Sequence, residues 1–375
     1  MVLDGQITGP DGIGRCTVQL AAALRRASAE HGLSLHVEPA GGAPRYSLAE
    51  SSHLIQAAQR HRADLLHLMD YRVPVPSAPL PLVATVHDLL RLRHPQHCYT
   101  DEAFTRRFGQ DRMRLLQAAT SALRGCAPWP PGTRRDPRSS HEEFYGRMTT
   151  HAAATAATVL TPTRVVAGHL EEAVGHRVPT RTAPWGTDHL PAHAPPKPGD
   201  TRQPRYLLYV GQARSHKGLP VLFEAYQRSS ARRRGLTLAL AGRDFTPGNP
   251  AVAGLVQQVV LLGEVTDTSL AALYSGAAAV VHLAEEEGFG FPPLEALSLG
   301  ARVLCADVPA LRETLGPHAV FTDQGDPRAV AADLDRLLDT EDTPAERWTR
   351  TDWASRYHWD RCARQVIDTY RAVLA

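Results

Sequence analysis

Two glutamates flank a glycine-rich turn in the segment EEEGFGFPPLEALSLG, residues 285–300. Glu287 and Glu295 are separated by seven residues, and an apolar run, AAAVVHLA, comes directly before the segment. Gly288 and Gly290 lack a Cβ, so the backbone between the glutamates can approach a ligand closely. The pattern therefore predicts a strand, a ligand-binding turn and a helix, in that order.

The helix after this turn predicts an anion site. Pro292 or Pro293 can begin a helix, because proline is tolerated in the first turn. The N-terminus of such a helix points N–H groups and the positive end of its dipole toward a ligand. Taken alone, the two glutamates would also fit an exposed turn followed by a carboxylate that caps a helix.

A second polar loop, in YVGQARSHKG at residues 209–218, also runs from a strand toward a helix. It contains Arg214 and Lys217, and among the 41 basic residues of the chain the only other lysine is Lys197. The planar fork of an arginine and the compact charge of a lysine can neutralise a diphosphate without a metal. Ordinary solvated loop cations are the alternative.

Apolar runs alternate with amphipathic helical stretches along the chain, which is typical of parallel sheets covered by helices. The sequence predicts an α/β protein of two domains, since 375 residues exceed the size at which one core keeps growing. Strands are expected in the first half at residues 33–38, 64–69, 82–87 and 158–161. In the second half they are expected at residues 206–211, 236–241, 259–263, 278–283 and 302–306.

Two proline-rich stretches interrupt these elements. The first, PAHAPPKPGDTRQP at residues 191–204, is expected to be a linker between domain 1, residues 1–190, and domain 2, residues 205–352. The second, GCAPWPPGTRRDPRSS at residues 125–140, predicts a long exposed loop. Its arginines could be simply solvated, or could attract an anionic acceptor or a membrane surface.

The composition excludes several function classes. The chain has 41 basic and 39 acidic residues, so its charge of +2 gives no global reason to bind nucleic acid. Its five cysteines are scattered without a C-x-x-C pair, which indicates neither a disulfide framework nor a zinc site. No signal-peptide pattern or bilayer-length apolar run is present. We therefore expect a cytoplasmic protein without a transmembrane segment, and membrane-surface contact is not favoured.

Together these motifs resemble the retaining GT-B glycosyltransferases of family 4, the glycosyl transferases group 1. Further segments extend the resemblance over nearly the whole chain: GPDGIGRCTVQLAAAL, TVHDLLRLRHP, VLTPTRVVAGHL and APWGTDHLP. The resemblance implies two Rossmann-like domains whose parallel sheets face a central cleft, where such folds bind ligands. It also implies that the C-terminal helical part, residues 353–375, packs back on the first domain.

The resemblance assigns a role to each matching residue. Arg214 and Lys217 would bind the donor diphosphate, although the family often places arginine directly before lysine and two residues intervene here. Glu295 would bind the ribose, and Glu287 the transferred sugar. His87 would lie near the reacting centre, although a histidine that ends a buried strand also fits a purely structural role. The other implied donor-site residues are Gly12, Gly14, Val265, Gly288, Phe289, Gly290 and Phe291.

The implied reaction moves a sugar from a UDP- or GDP-linked donor to an acceptor hydroxyl with retention of the anomeric configuration. The departing phosphate would accept the acceptor proton on the same face, and neither a metal nor another cofactor is expected. Because an arginine- and alanine-rich composition suits an antibiotic-producing actinobacterium, we expect a small soluble acceptor such as an aminocyclitol.

Other functions fit parts of the same pattern. The chain could transfer sugar to a lipid-linked glycan or polysaccharide, act as a GT-B epimerase or phosphorylase, or bind a nucleotide sugar without catalysis. A D-x-D sequence at Asp333 and Asp335 would suggest a divalent metal. The surrounding residues predict a helix, on which positions i and i+2 point to different faces, so we do not expect a metal there.

Overall fold

The chain folds into two compact units in a computed structural model. The structure describes all residues except 10, 29, 40–42, 51, 134, 193–205, 250, 251 and 253–258. Most of the expected linker therefore lies outside the described residues. The first unit comprises Met1–Trp185 and Trp359–Ala375, and the second comprises Gly186–His358.

These boundaries differ from the expected ones at two places. Residues 186–190 belong to the second unit rather than the first, and so do residues 353–358. Hydrogen bonds within the second unit explain the difference, because Thr187 N donates to Tyr357 O at 3.0 Å and the Trp353 indole donates to Thr314 O at 2.9 Å.

The first unit is a six-stranded parallel sheet with the order β2-β1-β3-β4-β5-β6. Its strands are β1 Val2–Asp4, β2 His36–Glu38, β3 Leu66–Leu68, β4 Leu82–Thr85, β5 Thr158–Thr161 and β6 Thr180–Thr182. Its helices are α1 Gly12–Ser28, α2 Ser52–Arg60, α3 Leu90–Arg93, α4 Asp101–Phe108, α5 Gln110–Arg124, α6 Ser140–Thr155, α7 Arg164–Val174 and the C-terminal α14 Trp359–Leu374.

The second unit is a six-stranded parallel sheet with the order β12-β11-β10-β7-β8-β9. Its strands are β7 Tyr206–Val210, β8 Thr237–Ala241, β9 Val259–Gly263, β10 Ala279–His282, β11 Val303–Ala306 and β12 Val320–Thr322. Its helices are α8 Leu219–Arg228, α9 Asp267–Gly276, α10 Phe291–Ser298, α11 Pro309–Leu315, α12 Pro327–Asp339 and α13 Pro344–Ala354.

The expectation of two parallel, helix-covered sheets is confirmed. Central strands such as β3, β4, β10 and β11 are buried along their whole length, because helices cover both faces of a parallel sheet. Three short strands were not predicted: β1, β6 and β12. Each has only three residues, too few to show a strand pattern in the sequence.

The C-terminal helix α14 packs within the first unit. The Tyr370 hydroxyl lies 2.6 Å from Nδ1 of His67 on β3, and the other ring nitrogen of His67 lies 2.9 Å from the hydroxyl of Thr85. An exposed ion pair between Arg26 and Asp360 adds a contact between α1 and α14. The helix is thus attached to the sheet by a buried polar chain as well as by apolar packing.

Residues 125–140 form a long, largely irregular segment as expected, but part of it is packed rather than fully exposed. The Trp129 indole donates to Arg135 O at 2.5 Å, and Arg138 N donates to the buried carboxylate of Glu142 at 2.9 Å. Trp129 also packs so closely on Gly146 that a Cβ there would lie 2.3 Å from the indole ring. The proline-rich composition therefore produces a packed irregular segment containing a short 3-10 turn at Pro131–Thr133.

No helix within the described part of the chain is both long enough and apolar enough to cross a bilayer.

Candidate active site

Two loops of the second unit meet at the carboxyl edge of its sheet. The first follows β7, and the second follows the neighbouring parallel strand β10. Because parallel strands end at the same edge, both loops emerge side by side. A main-chain bond from Glu285 N to His216 O, 2.9 Å long, joins them. The two motifs singled out in the sequence therefore form one continuous surface.

Gly218 allows this close approach. It has a φ of +68°, a conformation that favours glycine, and it lies between the 3-10 turn Ser215–Lys217 and helix α8. A Cβ at this position would lie 2.2 Å from the carbonyl oxygen of Leu283, just past β10. Any larger residue would push the loop that carries Lys217 away from the loop that carries Glu287.

The carboxylate of Glu287 is the centre of a three-residue cluster. Its Oε1 forms an ion pair with Lys217 Nζ and also accepts a hydrogen bond from His282 Nε2 at 2.9 Å. Burial by itself would raise the pKa of Glu287, but the Lys217 ammonium and the His282 donor together hold that pKa well below its usual range. Glu287 is therefore an anion paired with the Lys217 cation.

Glu295 lies on α10, is only 3% exposed and has different partners. Its Oε2 accepts from the Tyr274 hydroxyl at 2.9 Å, and its Oε1 lies 3.0 Å from His189 Nε2. The carboxylate thus connects α10 with α9 and with the segment that precedes residues 193–205.

Arg214 stands at the edge of the same surface. It is exposed, and its guanidinium pairs with no carboxylate in the part of the chain that the structure describes. The loop that carries it is fixed by the Asp244 carboxylate, which accepts from Ala213 N at 3.0 Å. Arg214 is therefore a solvated cation on an anchored loop, while Lys217 is already paired.

The predicted helix N-terminus exists at α10, with Gly290 as its N-cap at a φ of +85°. A Cβ on Gly290 would lie 2.3 Å from a methyl group of Leu311, so glycine is required there sterically as well. Pro292 and Pro293 have no N–H, so the first turn offers fewer hydrogen-bond donors than an ordinary helix. The dipole remains, but the donors to an anion must come from residues before the two prolines.

The aromatic residues of this turn point into the second unit. The ring of Phe289 packs 5.1 Å from that of Phe291 and 5.8 Å from that of Tyr357, measured between centroids. Gly288 has no side chain, so the turn faces a ligand through its backbone. Val265 lies between β9 and α9 and is half-buried; no contact supports its proposed place beside the base.

In the first unit, His87 follows β4. Its Nε2 lies 2.7 Å from the carbonyl oxygen of Met69, and a carbonyl can only accept, so Nε2 carries the proton. Burial lowers the pKa of His87, although the bond to Met69 opposes this. The ring is therefore neutral, and within the described residues Nδ1 has no hydrogen-bond partner. It can accept a hydrogen bond from a hydroxyl.

Gly12 and Gly14 lie in the first turn of α1, not in a loop. Gly14 N donates to the Asp11 carboxylate at 2.9 Å, and a Cβ on Gly14 would lie 1.9 Å from the carbonyl oxygen of Gly9. Close packing against Gly9 therefore requires glycine at position 14, whether or not Gly14 contacts a ligand. Contact of either glycine with a diphosphate stays a prediction.

Sequence reasoning missed a carboxylate pair at the edge of the first sheet. Asp4 ends β1 and Asp70 follows β3, the neighbouring strand, and both are buried. Arg72 pairs with Asp70 and with Glu50. Burial, reinforced by the Asp70 charge, raises the pKa of Asp4 to about 6. Each carboxylate lies at the end of a short apolar strand or just after one. The sequence pattern does not show that these two strands pair and bring the carboxylates together.

The two aspartates of the D-x-D sequence point to different partners. Asp333 pairs with Arg336 on the same helix, α12, whereas Asp335 accepts from Ser230 N at 2.7 Å. Among the described residues, no three His, Cys, Asp or Glu side chains cluster closely enough to hold a metal ion.

Comparison with known proteins identifies the second unit. Residues 194–351, which include both joined loops, match the family described as Glycosyl transferases group 1. The O-antigen chain mannosyltransferase B of Escherichia coli is 31% identical over 176 residues, 44% of this chain and 45% of that protein. The GDP-mannose:cellobiosyl-diphosphopolyprenol alpha-mannosyltransferase of Xanthomonas campestris is 28% identical over 180 residues, 45% of this chain and 47% of that protein. The chain thus spans less than half the length of these relatives.

Solved structures extend the likeness to both units. The Anabaena protein HepE, in complex with UDP and glucose, covers 99% of both chains with a TM-score of 0.68 and 17% identity. Sucrose-phosphate synthase from Thermosynechococcus elongatus covers 99% of this chain and 98% of its own, with a TM-score of 0.67 and 16% identity. The chain therefore has the two-domain Rossmann-like GT-B fold.

Proposed function

We propose that this chain is a glycosyltransferase that moves a sugar from a nucleotide-sugar donor to an acceptor hydroxyl. The observation that supports this most is the cluster of Lys217, Glu287 and His282 on two joined loops inside the region that matches the family. A cation next to a carboxylate suits a donor that presents phosphate oxygens and sugar hydroxyls side by side.

The cations of the second unit would replace a metal in this reaction. When the sugar C1–O bond breaks, negative charge develops on the departing nucleoside diphosphate. Lys217 and the exposed Arg214 can stabilise that charge more in the transition state than in the ground state. We therefore propose a metal-independent transfer, with the α10 dipole as a third favourable contribution.

The proposed transfer retains the configuration at C1. The acceptor oxygen forms the new bond to C1 on the face from which the diphosphate leaves, and the acceptor proton passes to the departing phosphate oxygen. Atoms and charges balance without a covalent enzyme intermediate. In this scheme Glu287 orients a hydroxyl of the transferred sugar, and Glu295 holds the ribose.

The donor is proposed to be a GDP- or UDP-linked hexose, with GDP-mannose as the first candidate. Two relatives carry mannosyltransferase in their names, and one name specifies GDP-mannose. HepE was solved with UDP-glucose, which makes UDP-glucose the second candidate.

For the acceptor we retain a small natural product with amino groups, such as an aminocyclitol. The carboxyl edge of the first sheet places Asp4 and Asp70 near the loop of His87, and Arg72 forms ion pairs with Asp70 and Glu50 there. Such an edge would favour a cationic acceptor whose hydroxyl donates to Nδ1 of His87. A lipid-linked glycan is the second candidate, because one relative is named for a diphosphopolyprenol acceptor.

The test begins with thermal shift and calorimetry using UDP, GDP, UDP-glucose and GDP-mannose. The preferred donor is then offered 2-deoxystreptamine or a polyprenyl-diphosphate disaccharide, and products are identified by mass spectrometry. The one-bond carbon–proton coupling constant at C1 of the product reports its anomeric configuration, which is compared with that of the donor. Binding without any sugar transfer or donor hydrolysis would instead identify a non-catalytic nucleotide-sugar subunit.

A further inference from the structure

His282 is a buried histidine that the proposed catalytic scheme has not yet used. It ends the central strand β10, its side chain is 3% exposed, and its Nε2 lies 2.9 Å from Oε1 of Glu287. Its neighbours on the strand are aliphatic residues of the core. Burying a polar ring among apolar residues costs free energy of folding unless the ring is hydrogen-bonded, so the bond to Glu287 offsets that cost.

The surroundings of the ring determine its protonation. Glu287 is ionised beside Lys217, so it can only accept, and His282 Nε2 must therefore carry the proton. Nδ1 of His282 is buried and has no hydrogen-bond partner in the described residues. A second proton there would leave a cationic N–H unsatisfied, which costs more than leaving a lone pair unused. The ring is thus a neutral donor with one partner.

The two donors to Glu287 converge on the same carboxylate oxygen. Lys217 and His282 both contact Oε1, and within the described residues no partner reaches Oε2. Two donors on one oxygen fix the rotation of the carboxylate and present Oε2 outward. Lys217, on a flexible four-carbon stem and 19% exposed, can turn toward an anionic ligand, whereas His282 is held by the strand.

We propose that His282 is a positioning residue for Glu287: its Nε2–H keeps the carboxylate oriented toward the transferred sugar while Lys217 moves to the donor diphosphate. This inference rests on the proposed glycosyltransferase function. It predicts that the hydrogen bond matters most in the donor-bound state, when the lysine no longer holds Oε1. The loss should therefore appear in turnover rather than in nucleotide affinity.

Three variants separate positioning from simple stability. His282→Leu removes the donor with similar volume, and His282→Gln keeps an N–H at comparable reach. Val281→Ala is the matched control, because Val281 is a fully buried neighbour on the same strand that packs in the core cluster of the second unit, on the opposite face of the sheet. Tm, kcat and KM with the preferred donor, and the Kd of GDP and UDP, are measured for each.

For His282→Leu we expect kcat to fall about 10- to 100-fold, as for loss of a hydrogen bond to a charged group, with KM and nucleotide Kd changed less than about threefold. His282→Gln should recover most of kcat. Val281→Ala should lower Tm without lowering kcat of the folded enzyme. Equal kcat in His282→Leu and wild type, or an equal kcat loss in Val281→Ala, would overturn the proposal.

A measurement without turnover keeps the two proposals distinguishable. Nitrogen-15 NMR of the histidine rings should show His282 as the neutral Nε2–H tautomer in wild type, and the Nε2–H signal should broaden or shift in Glu287→Ala. A doubly protonated ring, or an Nδ1–H tautomer, would refute the positioning role even in an active enzyme. Absence of any sugar transfer by wild type would refute the proposed function on which that role rests.

Discussion

Lys217 and Glu287 form an ion pair that joins the loops after two neighbouring strands of the second sheet. Their side chains are 19% and 15% exposed, so the pair is shielded from solvent but still reachable. An anionic ligand must therefore compete with Glu287 for the lysine. A diphosphate can do so because it offers several charged oxygens at once.

The first prediction follows from this competition. Lys217→Ala should lower turnover about 100-fold, equivalent to about 3 kcal/mol of transition-state stabilisation, because one of two cations facing the leaving group is lost. Initial rates at saturating donor would measure the effect. Arg214→Ala should lower the rate as well, but Arg214 is more solvated and its charge is more strongly screened.

The chain provides a control of matched chemistry for this substitution. Lys197 is the only other lysine of the protein, so Lys197→Ala removes the same charge outside the two joined loops. It should leave the rate unchanged. If both lysine variants lose activity equally, the effect of Lys217 is one of net charge and not of its position in the site.

The second prediction concerns metal. Transfer should persist in excess EDTA, and added magnesium or manganese should not increase the rate, because Arg214 and Lys217 supply the positive charge. The measurement is the rate before and after extensive chelation, with wild type and Lys217→Ala assayed in parallel. Strict dependence of the wild-type rate on a divalent ion would contradict this account.

The sequence predicted the sheets and the loops well, because their signals are local. Apolar runs predicted every strand of both sheets except β1, β6 and β12, and parallel topology then required the loops at Lys217 and Glu287 to emerge at one edge. The direct contact between these side chains was not predicted. It depends on the approach of the two loops at Gly218, which is a three-dimensional relationship.

The residues that sequence reasoning missed share a physical reason. His282 lies in an apolar run whose pattern predicts a buried strand. Its hydrogen bond to Glu287, five residues later, is visible only in the folded structure. His189 meets Glu295 across 106 positions, and Asp4 meets Asp70 through strand pairing. Residue type alone does not reveal such long-range partners.

The third prediction uses the raised pKa of Asp4. This carboxyl titrates at about 6 in the folded protein and near 4 when unfolded, so the native state binds more protons between those values. Stability should therefore fall as pH rises from 4 to 6. Asp4→Asn should be more stable than wild type at pH 8 by up to about 3 kcal/mol, and similar to it below pH 4, as measured by urea unfolding.

An exposed carboxylate provides the comparison. Asp111 on α5 has a side chain that is 95% exposed, so Asp111→Asn should not change the pH dependence of unfolding. Asn at position 4 can still accept the hydrogen bond from Gln6 N, which isolates the charge from the contact. A stability difference for Asp4→Asn that is the same at pH 4 and pH 8 would show that packing, not ionisation, controls it.

The two glutamates of the motif have separate partners, and their substitutions should separate in the same way. Glu287 is held by Lys217 and His282, whereas Glu295 is held by His189 and Tyr274. Their carboxylates therefore face different parts of any ligand on this surface. An alternative is that Glu295 only anchors the segment at His189 and touches no ligand.

The fourth prediction decides between these roles for Glu295. If it holds the ribose, Glu295→Gln removes an interaction present in both ground and transition states, so donor KM should rise about 10-fold while kcat falls less. The affinity for free GDP or UDP should fall in parallel, because the ribose is part of both. Glu287→Gln should instead lower kcat without weakening the affinity for the free nucleotide diphosphate, which should rise because Glu287 no longer competes for Lys217. Calorimetry with both nucleotides and steady-state kinetics on the two variants provide the comparison, and Tyr274→Phe serves as the control for anchoring alone. If Glu295→Gln lowers Tm as Tyr274→Phe does but binds GDP and UDP like wild type, then Glu295 is an anchor, and the ribose must be held by other groups at this edge.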